Sequence, residues 1–522
     1  MTFLDVASSR GCCFTSGLFL PEIRLPRLLE EERCALLGAG IFFMETPGDL
    51  SKGELSFAEQ FLIFYQKLKS RGVRHGGVYM FFSTVYMPID PAIIKSILQK
   101  DFDHFINHGI YSNPEAEPLS GHLFNLENAK WRDLRAKLTP TFTSGKMKMM
   151  FQTLVTCSEG LRKILEEYSF TKDAVDIKDV VSRFSTDVIG SCAFGLDCNS
   201  LKNPDSEFRR FGNKVFALDI TMKIKHLISM VMPKIVLDFV GFRMLSKDVE
   251  SFFMKVIRDT IDYREKNNVY RKDFMHLMLQ LKNRGHVADD ASIMDTEGND
   301  EKKQPHLTFN EFAAQCFVFF VAGFETSSTL MTFALFRLTE NPDIQEKLRE
   351  DILSVLKKHD DKLTYEAVME MSYLDKVIDE TLRINPPVSA LPRVCNKTYR
   401  VPGTDVTIDP GTNINIPVYG IHMDPEYYPN PEVFDPERFS EENKAKRPSC
   451  TFIPFGEGPR ICIGLRFGIM QAKVGLIRIL KDYKVTLNQK TKTPIKLDHR
   501  SGIMAVEGGI WLNITKLNKR DP

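Results

Sequence analysis

The chain has 522 residues, enough for one large domain or two or three ordinary ones, and its 43% hydrophobic and 26% charged residues are an ordinary globular balance. A formal net charge of +1 gives no electrostatic reason to expect a nucleic-acid partner. The ten cysteines include no CxxC pair, and Cys157, Cys192 and Cys316 sit in apolar helical stretches, which reads as reduced thiols in a chain facing the cytosol.

In chain order, residues 1–47 are read as an atypical N-terminal segment without a clear membrane anchor. Their apolar runs are broken by Pro21, Pro26 and the charges from Glu30 to Arg33. Gly77 to Phe82 and Val85 to Ile89 read as a hairpin, and Asp90-Pro91 opens a helix to about Gln99. Tyr111 to Ser120 is rich in Pro, Ser, Asn and Glu and reads as a loop. Helices dominate from Ala129 to Leu281, and the polar stretch Asn283 to Gln304 reads as a surface linker. A long apolar helix follows from about Asn310 to Leu338, stopped by Asn341-Pro342. Its least polar part, Phe312 to Phe324, falls short of the roughly 18 apolar residues that a membrane span requires, so it is expected in the core. Further helices cover Ile344 to Lys358 and Tyr373 to Ile384. Short strands and loops follow to Ile416, with last strands near Lys496 to Leu497 and Gly509 to Ile514. The expectation is a mainly α fold with small β-sheets.

The densest signal is Phe455-Gly456-Glu457-Gly458-Pro459-Arg460-Ile461-Cys462-Ile463-Gly464, directly before a predicted helix from Leu465 to Leu480. A cysteine at the mouth of a helix has its thiolate favoured by the helix dipole and by backbone N–H groups. Gly458 and Gly464 remove side chains where something flat and bulky must approach the backbone, and Arg460 supplies charge for an anion. Those are the needs of a haem held by a cysteine thiolate, with its propionates neutralised. A buried cysteine in a glycine-rich loop is the plainer alternative. Five fixed positions match a random chain of this length roughly once in ten thousand, which favours the haem reading. The run resembles the haem-binding loop of the cytochrome P450 family. The resemblance implies a P450 fold with a long central helix over haem b, Cys462 as the iron ligand, and Phe455, Arg460 and Gly464 as haem contacts.

Other constellations agree with it. Ala322-Gly323-Phe324-Glu325-Thr326-Ser327-Ser328 sets polar groups in the middle of a greasy helix. Gly323 costs about 1 kcal/mol of helix propensity, and Thr326 can bond back to a carbonyl one turn earlier and open a groove. Taken alone this could be a helix-packing notch. It resembles the family's oxygen-binding helix, which assigns proton delivery to Glu325 and Thr326. Glu380 and Arg383, at i and i+3, with Arg438 downstream, resemble the buried Glu-Arg-Arg network that locks the family's core. Trp131 and Arg135, at i and i+4, put an indole N–H and a guanidinium on one helix face. They resemble the family's propionate-holding pair, and Arg393 matches another propionate arginine. Where many relatives carry a basic residue, this chain has His108, which in neutral form would serve a propionate less well and is not taken as a haem contact.

The resemblance covers about residues 48–522, read as one haem-thiolate monooxygenase domain. The runs Asp101 to Phe105, Thr141 to Lys146 and Arg183 to Ile189 look most like insect family-six members, and then like vertebrate family-three drug-metabolising enzymes. It implies insertion of one atom of dioxygen into lipophilic small molecules, with electrons from NADPH through a cytochrome reductase. That partner would dock near Lys130, Arg132, Lys137 and Lys146. It also implies residence on the cytosolic face of the endoplasmic reticulum membrane, although residues 1–47 lack the anchor, basic stop and proline-rich hinge of microsomal relatives in that order. Phe216 to Phe242, apolar with interleaved lysines, suits either a membrane surface or packing as a lid over substrate. Pocket-lining positions are expected within His108 to Phe124, Phe208 to Leu218, Phe317 to Thr326, Val388 to Arg393 and Ser501 to Val506. A reductase-independent haem-thiolate isomerase or dehydratase, or a non-catalytic haem protein, would have no use for Glu325 and Thr326.

Overall fold

The computed structural model describes residues 43–44, 55–80, 83–217, 219–285, 287 and 307–517. Residues 1–42 and most of the expected linker between Asn283 and Gln304 lie outside them.

The first half comprises β1 (Phe43–Met44), α1 (Phe57–Ser70), β2 (His75–Met80), β3 (Ser83–Pro88), α2 (Pro91–Lys95), α3 (Asn128–Leu138), α4 (Ser144–Thr171), β4 (Val175–Asp176), α5 (Ile177–Ile189), α6 (Glu207–Phe216), α7 (Ile220–Val231), α8 (Lys234–Phe239), α9 (Lys247–Lys266) and α10 (Phe274–Arg284). The second comprises α11 (Phe309–Glu340), α12 (Pro342–Lys358), α13 (Tyr365–Glu370), α14 (Ser372–Ile384), β5 (Leu391–Val394), β6 (Tyr399–Arg400), β7 (Thr407–Ile408), β8 (Asn413–Ile416), α15 (Val418–His422), α16 (Glu441–Lys446), α17 (Leu465–Leu480), β9 (Tyr483–Leu487) and β10 (Trp511–Lys516). The strands form three small sheets, in the orders β1-β2-β3-β8-β5, β4-β10-β9 and β6-β7.

The long helix α11 starts at a capping box. Thr308 Oγ1 accepts from Glu311 N–H, and the Glu311 carboxylate accepts from Thr308 N–H. Asn341-Pro342 ends it, since a proline disfavours helical geometry in the residue before it. Among the described residues it is the one helix apolar and long enough to span a membrane, but it is the core helix, packed against α5, α14 and α17. Gly323 makes the crossing with α5 close: an added Cβ would stand 2.5 Å from Ile189 Cδ1. The Thr326 hydroxyl does bond back, donating to the Ala322 carbonyl at 2.6 Å, yet the helix runs unbroken through this turn. The expected groove is therefore not opened by Thr326, whose hydroxyl shares a carbonyl within an intact ladder, and the space of the missing Cβ at Gly323 is taken by Ile189, which makes this turn a helix-packing notch.

On one side of α11 lies a buried polar frame. Glu380 and Arg383 have no solvent exposure and pair through two bonds of 2.7 and 2.8 Å, while Arg438 Nε stands 3.4 Å from Glu380. Arg383 also donates to the carbonyls of His422 (2.9 Å) and Pro431 (2.7 Å). On the other side, α6 and α9 meet α11 through a cluster of phenylalanines. Phe208 and Phe253 lie edge-on to each other, and both contact Phe320. Beyond it, α7 and α8 turn apolar side chains outward; Ile220 is 78%, Ile235 77% and Phe239 91% exposed. This cap is tied to the 107–120 loop. The buried Glu117 carboxylate accepts the N–H groups of Met244 and Leu245, Lys234 donates to the Ser112 carbonyl, and the Tyr111 hydroxyl donates to Asp238.

Candidate active site

The cysteine loop is shaped by two left-handed glycines, Gly456 (φ 74°) and Gly458 (φ 73°), on either side of a tight turn. Cys462 N–H donates to the Phe455 carbonyl at 3.0 Å, closing the loop ahead of α17. The reason for Gly458 differs from the expectation that it clears room for a flat ligand. A Cβ there would overlap the Leu98 carbonyl oxygen, so it serves contact with the turn after α2. Gly464, with nothing within 4 Å of an added Cβ, is the glycine that leaves the backbone open. Cys462 lies deep in the protein but its thiol faces a cavity. Burial pushes its pKa up, against the Gly464 N–H and the charge of Arg135, which lower it.

That cavity has a volume of about 330 Å³. Cys462, Phe455, Gly456 and Gly464 line one wall, and Ala322, Gly323 and Thr326 of α11 another. Trp131, Arg135, Arg393 and Arg460 meet at its edge. Thus eight of the nine site residues expected from sequence surround one space. The ninth, Glu325, does not line it. Its carboxylate is 2.8 Å from Lys178 Nζ of α5, and the same ammonium donates to Ser328 Oγ (2.9 Å) and Thr329 Oγ1 (2.8 Å). Burial lowers the Lys178 pKa, and the Glu325 charge opposes that shift. Lys178 escaped the sequence reading, although a lysine three residues before Val181 on an inward-facing helix stripe was a usable signal.

The pocket segments expected from sequence are only partly right. His108, Leu123, Phe124, Val388 and Leu391 line the cavity, but among the described residues nothing from Phe208 to Leu218 or Ser501 to Val506 does. The first of these segments spends its rings on the phenylalanine cluster. Phe142, Met150, Ile189 and Phe274 complete the wall, brought there by long-range packing.

The edge of the cavity is electrostatically incomplete. Arg135 donates to the Ile461 carbonyl (2.9 Å), Arg393 to that of Pro392, and Arg460 to those of Ile106, Leu123 and Leu126. Among the described residues none of the three pairs with a carboxylate. Burial brings Arg393 down to about 10; burial with the charges of Arg393 and Arg135 brings Arg460 down to about 9. Trp131 Nε1 and Arg393 Nε are buried without a hydrogen-bond partner, and the Arg460 guanidinium stacks 4.2 Å from the Trp131 ring. Three gathered cations and an orphaned indole N–H call for an anion with more than one carboxylate. A thiol across an apolar cavity calls for a metal. A haem supplies both, and the donor set fits it.

Comparison with known proteins agrees. A profile of the cytochrome P450 family matches residues 53–513. The chain is 43% identical to probable cytochrome P450 6a20 of Drosophila melanogaster over 465 residues, covering 88% of this chain and 90% of that protein. It is 42% identical to cytochrome P450 6a2 of the same fly, covering 88% and 89%, and 42% identical to cytochrome P450 6k1 of Blattella germanica, covering 84% of each. Members carry haem b on a cysteine thiolate and use dioxygen with a redox partner. With these similarities spread over nearly its whole length, the chain belongs to the cytochrome P450 family of monooxygenases.

Proposed function

We propose that residues 48–522 form a microsomal monooxygenase domain that oxidises apolar small molecules, with Cys462 as the haem ligand and electrons delivered from NADPH by a reductase. The observation that carries this reading is that Cys462, Thr326 and three guanidinium groups, none paired with a carboxylate among the described residues, line one apolar cavity.

Bound haem would supply the activation of dioxygen and the transfer of one of its atoms. Cys462 would provide the thiolate; burial pushes its pKa up, and Gly464 N–H and the charge of Arg135 oppose that shift. Trp131, Arg135, Arg393 and Arg460 would hold the two propionates, and Phe455, on the cavity wall beside Cys462, would contact the haem. Thr326 holds a hydroxyl proton at the cavity wall. Glu325, one residue away and off the cavity, is tied to Lys178 and can serve as a proton source only by exchanging that partner. Gly323 lets Ile189 of α5 pack close and join the cavity lining, and the apolar wall excludes water.

The exposed apolar faces of α7 and α8, with Lys223 and Lys234 among them, favour the membrane-surface reading of Phe216 to Phe242 over the lid-packing one. They support residence on the cytosolic face of the endoplasmic reticulum. For reductase docking, Lys130 and Arg132 are exposed near the cysteine side, whereas Lys146, expected to join them, is buried and drops out of that surface.

The test is spectroscopic and kinetic. Reduced protein with carbon monoxide gives the red-shifted Soret band of a thiolate-bound haem, and Cys462→His abolishes both band and turnover. Thr326→Ala retains haem but diverts NADPH to hydrogen peroxide. A persistent band in Cys462→His, or unchanged coupling in Thr326→Ala, would defeat the respective assignment. A panel of steroids, plant toxins and insecticides, with product analysis, identifies the substrate class.

A further inference from the structure

His108 sits among the cations at the cavity edge, and its position is tightly fixed. On one side Asn107 O accepts Val394 N–H at 2.9 Å. On the other, Gly109 in the left-handed region (φ 72°) lies so close to Val394 that a Cβ would overlap it. The 107–109 loop is thereby pinned to β5, the strand that carries Arg393. His108 Nδ1 is 2.9 Å from the Phe124 carbonyl oxygen, and the two rings lie 4.4 Å apart. A carbonyl only accepts, so Nδ1 carries the hydrogen, and in the neutral ring Nε2 keeps its lone pair.

The charged groups facing this ring are Arg393 from β5 and Arg460 from the turn before Cys462. Trp131, on α3, is neutral, and the carboxylate at the start of that helix, Glu127, acts on Arg460. Burial and the two arginines hold the imidazole well below its ordinary range. Among the residues at this edge, His108 is the one whose ordinary titration range lies near neutral pH. Two carboxylates placed among the arginines would reverse the field acting on it.

We propose that His108 is a proton-linked contact for the carboxylate edge of the haem, neutral without the haem and protonated at Nε2 once the propionates are in place. This rests on the haem reading above. Haem binding then takes up a proton at His108, and this contribution holds haem more tightly at acid than at alkaline pH. Thiolate formation at Cys462 releases a proton in every variant, so the link shows in ratios between variants.

The experiment measures haem transfer from holoprotein to apomyoglobin, and the ferric/ferrous midpoint potential, between about pH 6 and pH 8.5. It compares the native chain, His108→Gln and His108→Arg. The native release rate should match His108→Arg at the acid end and exceed it by about tenfold at the alkaline end, a tenfold ratio being the loss of about 1.4 kcal/mol of charge–charge attraction. The ratio of His108→Gln to His108→Arg should stay constant with pH, and the native midpoint potential alone should bend across the window. If His108→Gln loses its haem, the native-to-arginine ratio carries the test. Haem-loaded native protein whose ratio to His108→Arg does not change with pH overturns the proton link and leaves the haem reading intact. Native protein without haem by the pyridine haemochromogen assay overturns both.

Discussion

The frame around Glu380 and the cap of α7 and α8 invert the usual placement of side chains. In the frame, a carboxylate and a guanidinium are wholly buried and fastened to backbone carbonyls; in the cap, isoleucine and phenylalanine side chains face outward. A buried ion pair contributes little net stability against an apolar replacement, but losing one partner is expensive. Such a network suits a part whose geometry must not vary. An exposed apolar surface is costly unless something else covers it, so it suits a part that meets a partner. The rigid part is joined to the segment leading into the cysteine loop, because His422, whose carbonyl accepts from Arg383, takes the Ile453 N–H on its ring.

The sharpest way to break the comparison is Glu380→Ala. Arg383, with Arg438 beside it, would keep a buried charge without its carboxylate, at a cost of about 3–5 kcal/mol out of a typical stability of about 5–15 kcal/mol. The expected result is protein nearly devoid of haem. Arg383→Lys should fare similarly, because an ammonium cannot serve the carboxylate and the carbonyls of His422 and Pro431 together. Normal haem content and melting temperature in both would mean that the frame is dispensable.

Gly458→Ala comes next. A non-glycine residue at φ 73° costs about 1–3 kcal/mol, and the overlap with the Leu98 carbonyl adds to it. Haem should be lost faster, with the carbon monoxide band shifting toward the form without thiolate; unaltered haem release would show that the loop yields freely.

Asp379 offers a change of opposite sign. Burial pushes its carboxyl up to about 6, with Lys444 3.5 Å away opposing the shift. Between its unfolded value near 4 and about 6, the folded chain holds a proton that the unfolded chain has lost. Stability therefore falls as pH rises through that window, and stays lower above it. Asp379→Asn should gain about 1–3 kcal/mol at neutral pH and nothing at acid pH, as read by urea unfolding. An equal effect at both would remove the proton from the account.

The smallest effect on folding belongs to the cap. Ile235→Ser and Phe239→Ser should each change stability by less than about 0.5 kcal/mol while lowering partition onto lipid vesicles. A large loss of stability would mean that these side chains are covered within the protein itself.

What the sequence revealed followed from spacing along one helix or loop. Trp131 with Arg135 and Glu380 with Arg383 are neighbours by helical period, and the cysteine run is contiguous. What escaped were contacts between distant segments: Leu98 under Gly458, Lys178 beneath Glu325, and Phe142 and Phe274 in the cavity wall. Glu325 and Thr326 are adjacent in sequence, but one residue of helix is about 100° of rotation, so only one of them faces the cavity. Strand β9 was passed over despite the alternation of Tyr483, Val485 and Leu487, because it follows α17 after only two residues.

The phenylalanine cluster bears on how such a chain diversifies across generations. Phe208 meets Phe253 and Phe320 edge to face and Phe253 meets Phe320 at a tilt, each contact worth about 0.5–1.5 kcal/mol, and Phe320 adjoins Phe319 of the cavity wall in the chain. Replacing one such ring by leucine or methionine costs far less than touching the Glu380 network. A lineage can therefore try new wall shapes one ring at a time, keeping a working oxidase at every step, while the chemistry beneath is inherited unchanged.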